Sequence, residues 1–268
     1  MNTAVLQVRD LSKHFGGVRA LDGVGFQVTA GQCVALIGPN GAGKSTCFAC
    51  LAGQQVPTTG EVLWHGQSLL GKSPAVRQRL GVARTFQVAQ TFEALTVLQN
   101  IQLVLREAKP LAWWDSLNQR LPERAMQLAV QADVQDLAHI TVADLPYGAK
   151  KRLELAMALA GLPQPVAGLG HAPSNALLLL DEPAAGLAQA ERSAMMALVR
   201  QVANQGVTVL YTEHNMDAVF GVADRVLVLM QGRLVADGVP EVVAQDPQVR
   251  ERYLGRDFDM KGLLDAHR

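Results

Sequence analysis

The spacing of apolar positions changes along the chain, and each change predicts an element. Residues 5–8 alternate apolar and polar side chains, the pattern of a half-buried strand. A turn-rich stretch follows, with Gly16-Gly17 and then Asp22-Gly23, before a second strand pattern at 25–29. Residues 33–37, Cys-Val-Ala-Leu-Ile, are wholly apolar and predict a strand buried on both faces. Residues 46–52 have helical composition and stop at Gly53, a residue suited to a left-handed C-cap. From about 88 to 160 the spacing is helical, as in Leu95/Leu98/Ile101/Leu105 and Met126/Leu128/Ala129, with few β-branched runs. A Gly- and Pro-rich loop is expected at 163–175, and the sequence offers no physical account of its length. Buried strands are expected again at 176–180 and 207–211, with a helix between them at 190–204. Residues 226–230, Gln231-Gly232 and 233–236 read as a hairpin.

This order predicts an α/β core carrying an inserted helical subdomain at about 88–160, the whole forming one domain over 1–245. Residues 246–268 read as a polar tail, helical at best. Trp113-Trp114 near the tip of the insert suits packing within the subdomain better than contact with a partner.

Composition narrows the picture. The 268 residues are 49% apolar, enough for a sizeable core, and the formal net charge is zero. No broad basic footprint suggests nucleic acid. No apolar run approaches the roughly 18 residues of a membrane-spanning helix. Met1-Asn2-Thr3-Ala4 leads into a strand pattern rather than a charged and then apolar leader. A cytosolic chain is therefore expected. Three cysteines do not make a disulfide framework. Cys47 and Cys50 fall inside the helix expected at 46–52 and read as buried thiols, since a redox pair wants its first cysteine at a helix N-terminus.

The chemistry concentrates at the ends of the apolar strands. Gly38-Pro39-Asn40-Gly41-Ala42-Gly43-Lys44-Ser45 matches G-x-x-x-x-G-K-[ST] in full, between a strand and a helix. Glycines let backbone N–H groups wrap phosphate oxygens, and the helix N-terminus adds positive potential. Lys44 reaches the β- and γ-phosphates, and the Ser45 hydroxyl suits Mg²⁺. Leu177-Leu178-Leu179-Leu180-Asp181-Glu182 ends an apolar strand in two carboxylates, where α/β sheets place their ligands. Asp181 is the candidate metal carboxylate, and Glu182 is the candidate general base for an attacking water. Alone, Gln87 would be surface decoration and His214 more often a structural histidine. Beside a γ-phosphate site, His214 becomes a candidate donor to developing charge.

Taken in order, GPNGAGKST at 38–46, RTFQ at 84–87, LPYGAKKRLELAMAL at 145–159, LLLLDEP at 177–183 and TEHNM at 212–216 resemble ATP-binding subunits of ABC transporters over nearly the whole chain. The resemblance implies a P-loop NTPase core with an N-terminal antiparallel β subdomain. It implies adenine stacking on Phe15, phosphate binding by residues 38–46 including Thr46, and metal contacts from Ser45, Gln87 and Asp181. Leu145, Pro146, Tyr147, Gly148 and Ala149 occupy the signature that closes a second subunit's ATP site. ATP and Mg²⁺ are the implied cofactors. The implied partners are a second ATPase subunit, in a homo- or heterodimer, two transmembrane permeases and, indirectly, a solute-binding protein. The implied location is the cytoplasmic face of the cell membrane. FGGVRAL, the YG signature, DEPAAGL, EHNMD and VRERYLG are similar to the branch serving branched-chain amino-acid importers, a style shared with urea and short-amide importers. Pro146, Ala149 and Ala188 depart from the family pattern, changes that relatives are expected to tolerate. Two other readings are a soluble ATPase of the same family acting on nucleic acid or ribosomes, and a nucleotide-binding module without turnover.

Overall fold

The structure is a computed structural model and describes residues 4–85, 91–105, 121–163 and 175–255. Two sheets organise it. The first is antiparallel, in the order β2-β1-β4-β5, from β1 (Ala4–Phe15), β2 (Val18–Thr29), β4 (Thr59–Trp64) and β5 (Gln67–Ser68). The second has the order β10-β9-β3-β8-β7-β6. Its strands are β3 (Cys33–Ile37), β6 (Val82–Arg84), β7 (Leu177–Asp181), β8 (Thr208–Thr212), β9 (Arg225–Met230) and β10 (Arg233–Gly238). All neighbours in it are parallel except the edge pair β9 and β10.

Burial on both faces explains the apolar runs. Leu178 and Leu180 of β7 and Cys33, Ala35 and Ile37 of β3 enter the core under the helical layer. Their alternates, Leu177, Leu179, Val34 and Leu36, enter a second core against α1 (Lys44–Ala52) and the antiparallel sheet. An alternating strand could not satisfy both layers. Cys47 and Cys50 lie in that second core as free, buried thiols, and burial pushes Cys47 up to about 12.

The first two strands are longer than their alternation predicts. Asp22-Gly23 is not a turn between elements but lies within β2. Register shifts against β1 absorb it, and the Gly23 N–H donates to Ser12 Oγ at 2.9 Å. Such bulges let turn-favouring residues remain in a ladder. β7 and β8 each run one residue past the expected end, because Asp181 still pairs with Thr212. Residues 54–84 carried no sequence expectation, since their elements are short and their alternation is broken. They supply β4, β5, α2 (Pro74–Arg79) and β6.

Between β6 and β7 the chain forms α3 (Val97–Val104), α4 (Pro122–Gln131) and α5 (Tyr147–Ala160). Thr96 caps α3 in a reciprocal pair with Gln99, so Leu95 precedes the helix rather than belonging to its stripe. Ile101, Leu128 and Ala129 are fully buried. α6 (Gln189–Asn204) and α7 (Met216–Phe220) complete the helical layer. After β10 the chain forms α8 (Pro240–Gln245), α9 (Pro247–Val249) and a wide turn over Arg250–Leu254. Val249 is fully buried, and Tyr253 and Leu254 pack on the core of the second sheet. Trp113-Trp114 and most of the 163–175 loop lie outside the described residues.

Candidate functional site

The strand order brings the separated motifs together. β8 lies between β3 and β7, and β6 flanks β7. The loop after β3, the carboxylates ending β7, the histidine after β8 and Arg84 ending β6 therefore share one edge of the sheet, at its C-terminal side.

The loop at 38–43 needs its glycines. At Gly38 (φ 146°) a Cβ would stand 2.0 Å from the Leu229 carbonyl, and at Gly43 (φ 104°) it would stand 2.3 Å from that of Ala20. The β9–β10 turn braces the loop through Gly232 N–H donating to the Ala42 carbonyl at 2.9 Å. α1 begins directly after it, leaving its first N–H groups toward the loop. Asn40, Gly41 and Ser45 are exposed, Pro39 and Thr46 are half-buried, and Ala42 is buried. Lys44 is buried and curls back, its Nζ donating to the carbonyls of Gly38 at 2.6 Å and Pro39 at 3.1 Å. Burial pulls Lys44 below the usual lysine range, while the Glu182 and Asp181 carboxylates oppose the shift.

Asp181 is almost wholly buried and held at both oxygens. Thr212 Oγ1 donates to Oδ1 at 2.9 Å, and Arg84 Nη2 donates to Oδ2 at 2.6 Å. Glu182 adopts φ 50°, a costly region for a non-glycine residue. Its N–H is fixed by the Thr212 carbonyl at 3.2 Å and by the Thr212 hydroxyl at 3.1 Å. The kink turns the Glu182 side chain to His214, whose Nε2 lies 2.7 Å from Oε1. Lys44, Asp181, Glu182 and His214 are thus gathered at one end of the sheet. Gln87 lies outside the described residues.

Phe15 sits at the tip of the β1–β2 hairpin, 46% exposed, with Lys13 Nζ 4.9 Å from its ring centroid. The signature residues sit at the start of α5, far from the loop at 38–45 in sequence. Pro146 is the exposed N-cap, Tyr147 is half-exposed, and Leu145 and Ala149 are buried. Ala149 is 2% exposed and belongs to the core cluster under the helical layer. Gly148 packs against α6, where a Cβ would meet Glu191 Oε1 at 2.6 Å. Ala188 is the N-cap of α6, and its N–H donates to Glu191 Oε2 at 3.2 Å.

Four residues gained no role from sequence reasoning. Arg84 and Thr212 were quoted only as letters of their motifs. Glu213 is buried, accepts the Ala184 N–H at 2.8 Å and the His214 N–H at 3.3 Å, and is pushed up by burial. Tyr253 packs against the core of the second sheet, and burial pushes its hydroxyl up. The closing VRERYLG run was the available signal for that packing.

The model of the ABC transporter family matches residues 21–185. The chain belongs to the ABC transporter family. Within that family it is an ATP-binding subunit and an ATP hydrolase. It is 34% identical over 265 residues to BraF of Pseudomonas aeruginosa, a high-affinity branched-chain amino acid transport ATP-binding protein, covering 95% of this chain and 99% of the relative. LivG of Escherichia coli, described in the same words, is 33% identical with the same coverage. LptB of Escherichia coli, a lipopolysaccharide export system ATP-binding protein, is 31% identical over 255 residues, covering 95% and 99%. Among solved structures, the ADP conformation of an ABC transporter's ATP-binding cassette superposes with TM-score 0.81 at 29% identity, covering 95% of this chain and all of the other. A nucleotide-free cassette superposes with TM-score 0.78 at 28% identity, covering 95% and 100%. Among the described residues of this ABC transporter subunit, no helix is long and apolar enough to cross a membrane.

Proposed function

We propose that this ABC transporter subunit hydrolyses ATP to drive the import of branched-chain amino acids. The observation that carries the chemistry is the pairing of Glu182 with His214 at 2.7 Å, beside the held carboxylate of Asp181. Glu182 is the general base, polarising the water that attacks the γ-phosphate. His214 fixes the Glu182 carboxylate and faces the developing phosphate charge. Lys44 leaves the Gly38 and Pro39 carbonyls to bind the β- and γ-phosphates, while the loop at 38–46 wraps them with N–H groups. The ring of Phe15 stacks on adenine.

The donor set fits Mg²⁺. Ser45 and Asp181 offer hard oxygens, and Gln87 offers an amide oxygen. Among the described residues no cluster of three His, Cys, Asp or Glu side chains forms an all-protein cage. That suits a cation shared with phosphates, which supplies charge neutralisation there. Leu145, Pro146, Tyr147, Gly148 and Ala149 serve the ATP site of a second cassette, with Tyr147, Gly148 and Ala149 offering backbone N–H groups at the start of α5 and Pro146, which has none, capping it. Two permease subunits and a solute-binding protein complete the assembly, with this subunit peripheral on the cytoplasmic face of the membrane.

The solute follows the likeness to BraF and LivG in name and in coverage of the whole chain. The test is leucine uptake by vesicles or cells carrying the assembly, with Glu182→Gln beside the parent. Loss of uptake and ATPase with ATP binding retained is expected. Equal ATPase rates in both would remove Glu182 as the base. ATP-dependent uptake of urea or an amide without leucine uptake, or outward lipid transport, would overturn the solute.

A further inference from the structure

Arg84 is the one cation that touches the carboxylate assigned to the metal, among the described residues. It ends β6, directly beside β7, so the parallel ladder fixes its position relative to Asp181. Its Nη2 donates to Asp181 Oδ2 at 2.6 Å, with 12% and 2% of the two side chains exposed. Its Nη1 donates to the Gln54 side chain, just past the end of α1. Its guanidinium lies 5.9 Å from the ring centroid of Phe48, also on α1. Its Nε is buried without a partner. The same side chain lines a cavity of about 330 Å³ that reaches Glu154 and Met157 on α5.

Asp181 does not need Arg84 for its orientation. Thr212 Oγ1 holds the other oxygen, and the ladder with β8 fixes the backbone. What Arg84 adds is positive charge on the carboxylate that would hold a cation. Two cations sharing one buried carboxylate repel, and the low local dielectric strengthens that repulsion. Arg84 also has a second hold, on Gln54 and Phe48, on which it can remain when Asp181 is shared.

We infer that Arg84 is a positioning residue that sets the metal affinity of the ATP site, by competing with the cation for Asp181. The inference rests on the assignment of Asp181 as the metal carboxylate.

The test titrates MgCl₂ into the ADP complex of the purified subunit by calorimetry, with ADP affinity in EDTA as the reference arm. Arg84→Met removes the charge while keeping apolar bulk. Its half-saturating Mg²⁺ concentration is expected to fall about tenfold, the effect of roughly 1.4 kcal/mol. Arg84→Lys keeps the charge but loses the planar fork, and is expected to fall by less. Unchanged or weaker Mg²⁺ affinity in Arg84→Met overturns the inference. If that variant does not fold by circular dichroism, Arg84→Lys decides: a lower half-saturation than the parent supports it, and an equal or higher one overturns it. Asp181→Asn separates the two assignments. If it leaves Mg²⁺ dependence intact, the metal assignment fails and the inference with it. If it abolishes that dependence while Arg84→Met behaves as the parent, the inference alone fails.

Discussion

Thr212 ties the two β7 carboxylates together, and its hydroxyl is the cleanest atom at which to test the site. It is 1% exposed, donates to Asp181 Oδ1 at 2.9 Å and accepts the Glu182 N–H at 3.1 Å. Thr212→Val keeps the shape and the β-branch, so it opens no cavity. It removes a hydrogen bond to a charged, buried acceptor, which costs about 1.5–3 kcal/mol. The Glu182 N–H keeps the Thr212 carbonyl at 3.2 Å, so little is added there. A net loss of about 2 kcal/mol lowers Tm by roughly 4–8 °C in a domain of this size. The assay is a pair of urea and thermal melts of the parent, Thr212→Val and Thr212→Ser. The serine variant keeps the hydroxyl and should recover most of the loss. ATP turnover should fall by at least about tenfold in the valine variant, because Asp181 and the strained Glu182 lose their common anchor. The reasoning is refuted if Thr212→Val stays within about 0.5 kcal/mol of the parent, or if serine is no better than valine.

Gly38→Ala should abolish nucleotide binding and lower Tm, since its Cβ would stand 2.0 Å from the Leu229 carbonyl; an ADP titration and a melt check it. Arg77 is 2% exposed and donates to the Cys50 and Leu51 carbonyls at the end of α1, at 2.6 and 2.7 Å. Arg77→Met takes its donor from the Leu51 carbonyl, while the Cys50 carbonyl keeps the Gly53 N–H at 3.3 Å, and should cost about 2 kcal/mol by urea midpoint. Glu213 is pushed up by burial, so the folded state holds its proton more tightly than the unfolded chain does. The resulting cost is absent below the unfolded value and grows as pH rises through the folded one. Glu213→Gln should therefore gain stability over the parent at pH 7–8 and lose that advantage near pH 4, read as the difference in Tm across pH.

The glycine loop, the two carboxylates and His214 were legible in the sequence because each sits in a short contiguous run. A P-loop needs its glycines and lysine at fixed offsets, and a buried strand ending in Asp-Glu announces both the strand and its function. Cys33–Ile37 and the 177–180 leucines were legible for the same reason, since burial on both faces leaves no polar alternates. The resemblance carried the roles further, to Phe15, Gln87 and the signature.

The tertiary structure decided what depends on pairs distant in sequence. Arg84 and Asp181 are 97 positions apart, Asp181 and Thr212 are 31, and no local spacing links them. Asp22-Gly23 reads as a turn locally, yet cross-strand hydrogen bonds to β1 keep it in a ladder. Ala149 reads locally as a missing amide, and only the tertiary structure places it in the buried core. Local chemistry is written in consecutive residues. Which charges face one another is set by strand order, and strand order is chosen by the burial of whole layers.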